Sequence, residues 1–166
     1  MLIYLGCCTV LAFGLALVLM QAGAAPAAGA HAAFALGAMP LIFAAMGHFV
    51  PVLTRSGGAG KALHRLPLAM QLVGAAVVGV LAGALPGWTL HVAVVIGLVT
   101  TGLFLAWQWQ RGNKALGKPH PGLAWYKAAL ACLMLALLAI FVGLLWPAAY
   151  APLRLAHLHL NTLGFI

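Results

Sequence analysis

Seven histidines, three cysteines and three tyrosines are the side chains able to bind a metal or move a proton in this 166-residue chain, which holds no Asp and no Glu. That absence excludes paired-carboxylate acid–base chemistry, a Ser-His-Asp triad and a carboxylate cage for a hard cation. Imidazole remains as the principal ligand. Neutral imidazole is the commonest metal ligand and suits Fe, Cu, Zn and Ni. A site made of histidine alone fits a haem iron or a copper better than Mg, Ca or Mn. The histidines are His31, His48, His64, His91, His120, His157 and His159.

The elements that must position them are read from hydropathy. The chain is 66% hydrophobic and 5% charged, with mean hydropathy +1.14. Ordinary soluble domains are about 25% charged, so neither a soluble globular domain nor a disordered chain is compatible with this composition. About 20 apolar residues cross a bilayer as a helix. Five stretches qualify, roughly Leu2–Met20, His31–Leu53, Leu66–Leu85, Trp88–Trp109 and Leu123–Trp146, and a sixth opens at Leu155. The expected fold is all-α: a polytopic integral membrane helix bundle of five complete spans and the start of a sixth, one bundle over residues 1–166. The unfinished sixth span reads as the N-terminal part of a longer chain. Leu2–Met20 has some features of a signal peptide but lacks a basic start, and reads as a retained helix.

The net charge of +8 would suggest nucleic acid in a soluble chain. Here it reads as orientation, with no nucleic-acid partner. Arg55, Lys61 and Arg65 share one loop; Arg111, Lys114, Lys118 and Lys127 mark the next. Cations stay cytoplasmic during insertion, so these loops and the N-terminus face inward, across a bacterial inner membrane. Trp88 and Trp146 then mark the outer interface, and Trp107, Trp109 and Trp125 the inner one. On this topology His31, His91, His157 and His159 share the outer level, while His64 and His120 fall in solvated inner loops. Polar groups at membrane depth mark functional sites, which makes those four the candidate metal ligands. His157 and His159 lie about 200° apart around a helix, so they serve different centres, or one cofactor and one hydrogen-bond partner.

Two segments resemble the heme-copper oxidase and nitric oxide reductase superfamily of membrane respiratory proteins. One is His31-Ala-Ala-Phe-Ala-Leu-Gly-Ala-Met-Pro40, continuing to Gly47-His48-Phe49-Val50-Pro51; the other is Ala156-His157-Leu158-His159 with Gly164 soon after. The resemblance implies that His31 and His159 ligate a low-spin haem b as a bis-imidazole pair, and that His157 ligates a second centre, haem or copper. The chain lacks a His-x-x-x-Tyr segment, a His-His pair and any acidic proton-channel residue. It is therefore more similar to a smaller haem-and-copper membrane protein linked to nitric oxide response in denitrifying bacteria. The implied role is electron transfer or O2 and NO handling, alongside other respiratory or membrane subunits. Arg154, one turn before His157, is placed to pair with a haem propionate. The alternative is a transporter or channel-like bundle without haem.

The remaining polar positions read as structural. Cys7 and Cys8 are adjacent near the reducing inner face and are not expected to bridge, and Cys132 reads as a packing residue. Gly79-x-x-x-Gly83 permits close helix approach. Thr100 and Thr101 are expected to bond back to their own helix, Gln108 and Gln110 to be interfacial, and Pro40 and Pro51 to bend the second span.

Overall fold

The structure, a computed structural model, describes residues Met1–Phe165. Five helices are long and apolar enough to span a membrane: α1, Leu2–Gln21; α2, Pro26–Leu53; α3, Leu63–Leu81; α4, Thr89–Asn113; and α5, Gly122–Leu145. A shorter helix follows: α6 runs over Tyr150–His159 and continues as π-helix over Leu160–Phe165. No strand occurs among the described residues. Large apolar side chains point outward along the spans, with Leu11 and Leu72 each 73% exposed. A soluble protein would bury such residues; lipid tails solvate them.

Two boundaries differ from the sequence expectation. The second span begins at Pro26 rather than His31, because Pro26 occupies the first helical turn, where a missing N–H costs nothing. His31 thus closes a short α-helical run rather than opening the span. The last helix begins at Tyr150, after a 3-10 turn at Pro147–Ala149. Arg154 therefore lies inside a helix and not in the preceding loop, and His157 and His159 sit about two turns into it.

The described chain divides into two compact units: Met1–Ala45 with Lys61–Ile96, and Met46–Gly60 with the chain from Gly97 onward. In the first unit α1 and α3 pack on the middle of α2. There the ladder widens into π-helix over Ala32–Ala38, where the Met39 N–H reaches back to Phe34 O. Pro40 is the local cause. It has no N–H to give to Leu36 O, and its ring would crowd that carbonyl in a regular α-helix. Gly37 lies in the widened turn, and the Thr9 hydroxyl of α1 donates to Gly37 O at 3.0 Å, sharing its proton with Leu5 O at 2.8 Å.

Small residues allow this close approach. Ala16, Ala32, Ala33 and Val78 form one buried cluster, with Leu19 and Leu36 against it. A methyl placed on Gly74 of α3 would meet the Ala35 carbonyl and come within 2.6 Å of Leu36 Cα. In lipid there is little hydrophobic gain from joining two apolar helices, so such backbone contacts hold them together. Gly74 makes this contact rather than Gly79 or Gly83. Gly79 faces the Leu85 side chain of its own connector. Gly83 takes φ 78° and closes the helix, with Gly83 N–H donating to Val80 O and Ala84 N–H to Gly79 O.

In the second unit α5 and α6 form a hairpin. Gly143 meets Tyr150 near its turn, and Gly164 packs on Cys132, where an added methyl would come within 2.6 Å of Sγ. Cys132 is thus a packing residue. The end of α2 lies along the end of α4, with Gly47 beside Phe104 and the Gln108 amide 3.5 Å from Met46 Sδ. Arg55 closes α2 at φ 49°, while Arg55 N–H donates to Val52 O and Ser56 N–H to Pro51 O. Glycine usually fills this left-handed position.

Gly74→Ala should destabilise the protein by about 1–3 kcal/mol, the usual range for overpacking a filled site. Gly14→Ala, with nothing within 4 Å of the new methyl, should be neutral or stabilise by about 0.5–1 kcal/mol through helix propensity. Thermal unfolding in detergent measures both.

Candidate functional site

Three of the four candidate ligands share one local device. His31 Nδ1 donates to Ala27 O at 2.8 Å, and His159 Nδ1 donates to Leu155 O at 2.9 Å, each to the carbonyl four residues back. His157 Nδ1 donates to Ala136 O of α5 at 2.9 Å. A carbonyl can only accept, so Nδ1 carries a proton, and in the neutral imidazole the lone pair is then on Nε2. Metal-binding histidines are commonly oriented in this way, with the second nitrogen held by a carbonyl or carboxylate.

His31 and His159 also stand at equivalent points of the backbone. Each is the last α-helical residue before a π-helical segment, Ala32–Ala38 or Leu160–Phe165. Each segment contains a Leu-Gly pair, Leu36-Gly37 or Leu163-Gly164, whose glycine packs on the preceding helix of its own hairpin. The second segment contains no proline, and side chains account for its widening. Asn161 Nδ2 donates to His157 O at 2.8 Å, and the Thr162 hydroxyl donates to Leu158 O at 2.9 Å. These donors compete with the backbone N–H groups for the i−4 carbonyls. The Asn161 amide nitrogen also lies 3.4 and 3.5 Å from the two ring nitrogens of His157, while Asn161 Oδ1 is buried with no hydrogen-bond partner.

His157 and His159 project differently, as the 200° separation requires. His157 is half-buried against α5, and His159 is exposed. Arg154 is exposed three residues before His157. His91 is half-buried in the first turn of α4, with its N–H on Trp88 O at 3.1 Å. His31 and His91 belong to the first unit, and Arg154, His157 and His159 to the second. Among the described residues no group of three or more His, Cys, Asp or Glu gathers at metal-binding distance.

His120 differs from the ligand candidates. Its Nδ1 accepts the Gly122 N–H at 3.0 Å and caps the start of α5, while its own N–H donates to Leu53 O at 3.1 Å. It joins two helix ends and is more than a solvated loop residue.

Two polar groups depart from the sequence reading. Thr101 and Gln108 are fully buried; Thr101 Oγ1 and Gln108 Oε1 have no hydrogen-bond partner. Thr101 therefore does not bond back to its own helix, and Gln108 is packed inside the protein rather than exposed at its surface. They are seven residues apart, which puts them on one face of α4. Sequence alone marks both as polar residues in an apolar span; the missing signal was the face they occupy. In the first unit an apolar hollow of about 270 Å³ lies between α3 and the start of α4, lined by Leu72, Val73, Val92 and Ile96 among others. Thr89 supplies its one polar side chain, so it has no ligand chemistry of its own.

The fold defines a polytopic, all-helical membrane protein. Comparison with protein-family models, curated proteins and solved structures finds no match to the chain.

The bonding pattern makes a spectroscopic prediction. Nitrogen chemical shifts at neutral pH should report the Nδ1–H form for His31, His157 and His159, and the Nε2–H form for His120. A rapidly averaging pair of forms at His31 or His159 would contradict the carbonyl anchors.

Proposed function

We propose that this chain is a haem- or copper-binding membrane protein of respiratory type, acting in electron transfer or in handling O2 or NO. The observation that carries the reading is the placement of His31 and His159. Each is anchored through Nδ1 and each stands at the entry to a π-helical segment. Single π turns inside helices occur frequently at functional sites. The carbonyl anchors hold the rings in an orientation and tautomer that would suit a metal ligand. A histidine can ligate haem iron by itself, so each anchored imidazole qualifies on its own and this chemistry does not call for a three-ligand cluster. A three-histidine copper cage fits the residues less well, because no such group occurs among the described residues.

When bound, haem would supply one-electron chemistry and an iron centre for small gases. The chain's own contribution is to hold the imidazoles still. His157, held by Ala136 O and covered by Asn161, is the candidate ligand of a second centre. The half-buried His91 is the next candidate metal ligand. Arg154 carries a fixed positive charge beside His157 and suits a propionate. The cationic loops support an inner-membrane location with a cytoplasmic N-terminus, and the resemblance supports assembly with other respiratory subunits.

The second reading is a transporter or channel-like bundle without haem. The orphaned Thr101 Oγ1 and Gln108 Oε1 favour it. Unsatisfied polar atoms at membrane depth are costly and often line a path for water or ions.

A visible spectrum of the detergent-purified protein separates the two readings. The haem reading expects a low-spin haem band that His159→Ala or His31→Ala abolishes while the fold is retained by circular dichroism. A colourless, metal-free protein favours the transporter. A haem band untouched by either substitution removes both histidines as haem ligands.

A further inference from the structure

The eight lysines and arginines have no acidic side chain anywhere in the sequence to neutralise them. The second unit shows how two of them are held instead. Arg111 donates to Ser56 Oγ at 3.2 Å, Gly57 O at 3.0 Å and Gly58 O at 3.2 Å, and lies over the Trp107 ring at 5.7 Å. All of these partners are uncharged, so its positive charge persists. Lys127 of α5 rests its ammonium 4.5 Å above the Trp109 ring of α4. An indole face attracts a cation but is a poor acceptor for its three N–H donors.

The surroundings of that ammonium point to one kind of partner. Trp109 is 58% exposed and Trp125 78% exposed. Both stand near the ends of membrane-length helices that meet at the same loop. Indoles in such places sit at headgroup level, with an apolar body in the acyl region and a polar edge in water. Lys114 and Lys118 are exposed in that loop, so the helix end is strongly cationic and has no acidic group to offset it.

We propose that the Lys127–Trp109 pair binds the phosphodiester of an anionic phospholipid. The Lys127 ammonium donates to the phosphate oxygens, and Trp109 packs against the glycerol and upper acyl chain. Arg111 stays committed to the 56–58 loop and contributes its field, as do Lys114 and Lys118. A soluble phosphate would leave the exposed indoles without a partner, and a lipid engages both parts of the pair. No covalent step is involved.

The test is native mass spectrometry of the detergent-purified full chain with phosphatidylglycerol and with phosphatidylcholine of the same acyl chains. Phosphatidylglycerol should be retained preferentially. One lysine near a charged headgroup contributes about 1 kcal/mol, so Lys127→Gln should weaken that retention about fivefold. Lys127→Arg, which can also stack and donate, should keep it, and decides the matter if the Gln variant does not fold. Lys61→Gln, a lysine of the first unit, should change retention by less than about twofold. The proposal is overturned if Lys127→Gln binds like the parent, if Lys61→Gln loses as much, or if inorganic phosphate displaces the lipid at equal concentration.

Discussion

A backbone carbonyl at membrane depth must be given a donor, because hydrocarbon provides none. Most carbonyls here are served by the helical ladder. The exceptions organise the molecule. Pro40 removes one donor and pushes α2 into π-helix, and Thr9 reaches across from α1 to the Gly37 carbonyl in that stretch. At the other π segment Asn161 and Thr162 occupy the carbonyls of His157 and Leu158. The candidate ligands obey the same rule: His31, His157 and His159 each spend a ring N–H on a carbonyl. The bonds that orient the imidazoles all end on helix carbonyls.

A second consequence follows from close packing. A helix with widened turns presents its backbone sideways, and only small residues can approach it. Gly74 meets Ala35 and Leu36, and Gly164 meets Cys132, in contacts that leave no room for a methyl. These glycines fix the depth and rotation of the π segments against their neighbours. The histidines at the segment entrances inherit that placement. A candidate site placed in this way would depend on packing several residues away from the histidines themselves.

Charge is handled by different means. With no carboxylates, cations rest on indole faces and backbone carbonyls, as Lys127 does on Trp109 and Arg111 on Gly57 and Gly58. Histidine takes part as well, since His120 caps α5 and accepts a hydrogen bond where an Asp or Asn would ordinarily serve. Neutral partners leave the charge in place for the surroundings to answer.

Much of the architecture was legible in the sequence. Five apolar runs of spanning length name five helices, because length and hydropathy are local properties. The opposed faces of His157 and His159 were also legible, since helical rotation alone fixes them. Helix starts were less so: Pro26 and Tyr150 extend elements into stretches that looked like connectors. The π segments were hidden, because a widened turn arises from competition for carbonyls that no periodicity records. Gly79-x-x-x-Gly83 looked like the packing motif, yet Gly83 ends a helix and the isolated Gly74 makes the contact. Thr101 and Gln108 were visible as polar residues, but which face of α4 is buried depends on its neighbours.

Composition and periodicity thus determined that this chain is helical, membrane-spanning and limited to imidazole as its main ligand chemistry. Tertiary structure decided that His157 holds Ala136 O of α5, where His31 and His159 hold carbonyls of their own helices. That bond forms only where α6 packs on α5, which is why spacing alone could not show it.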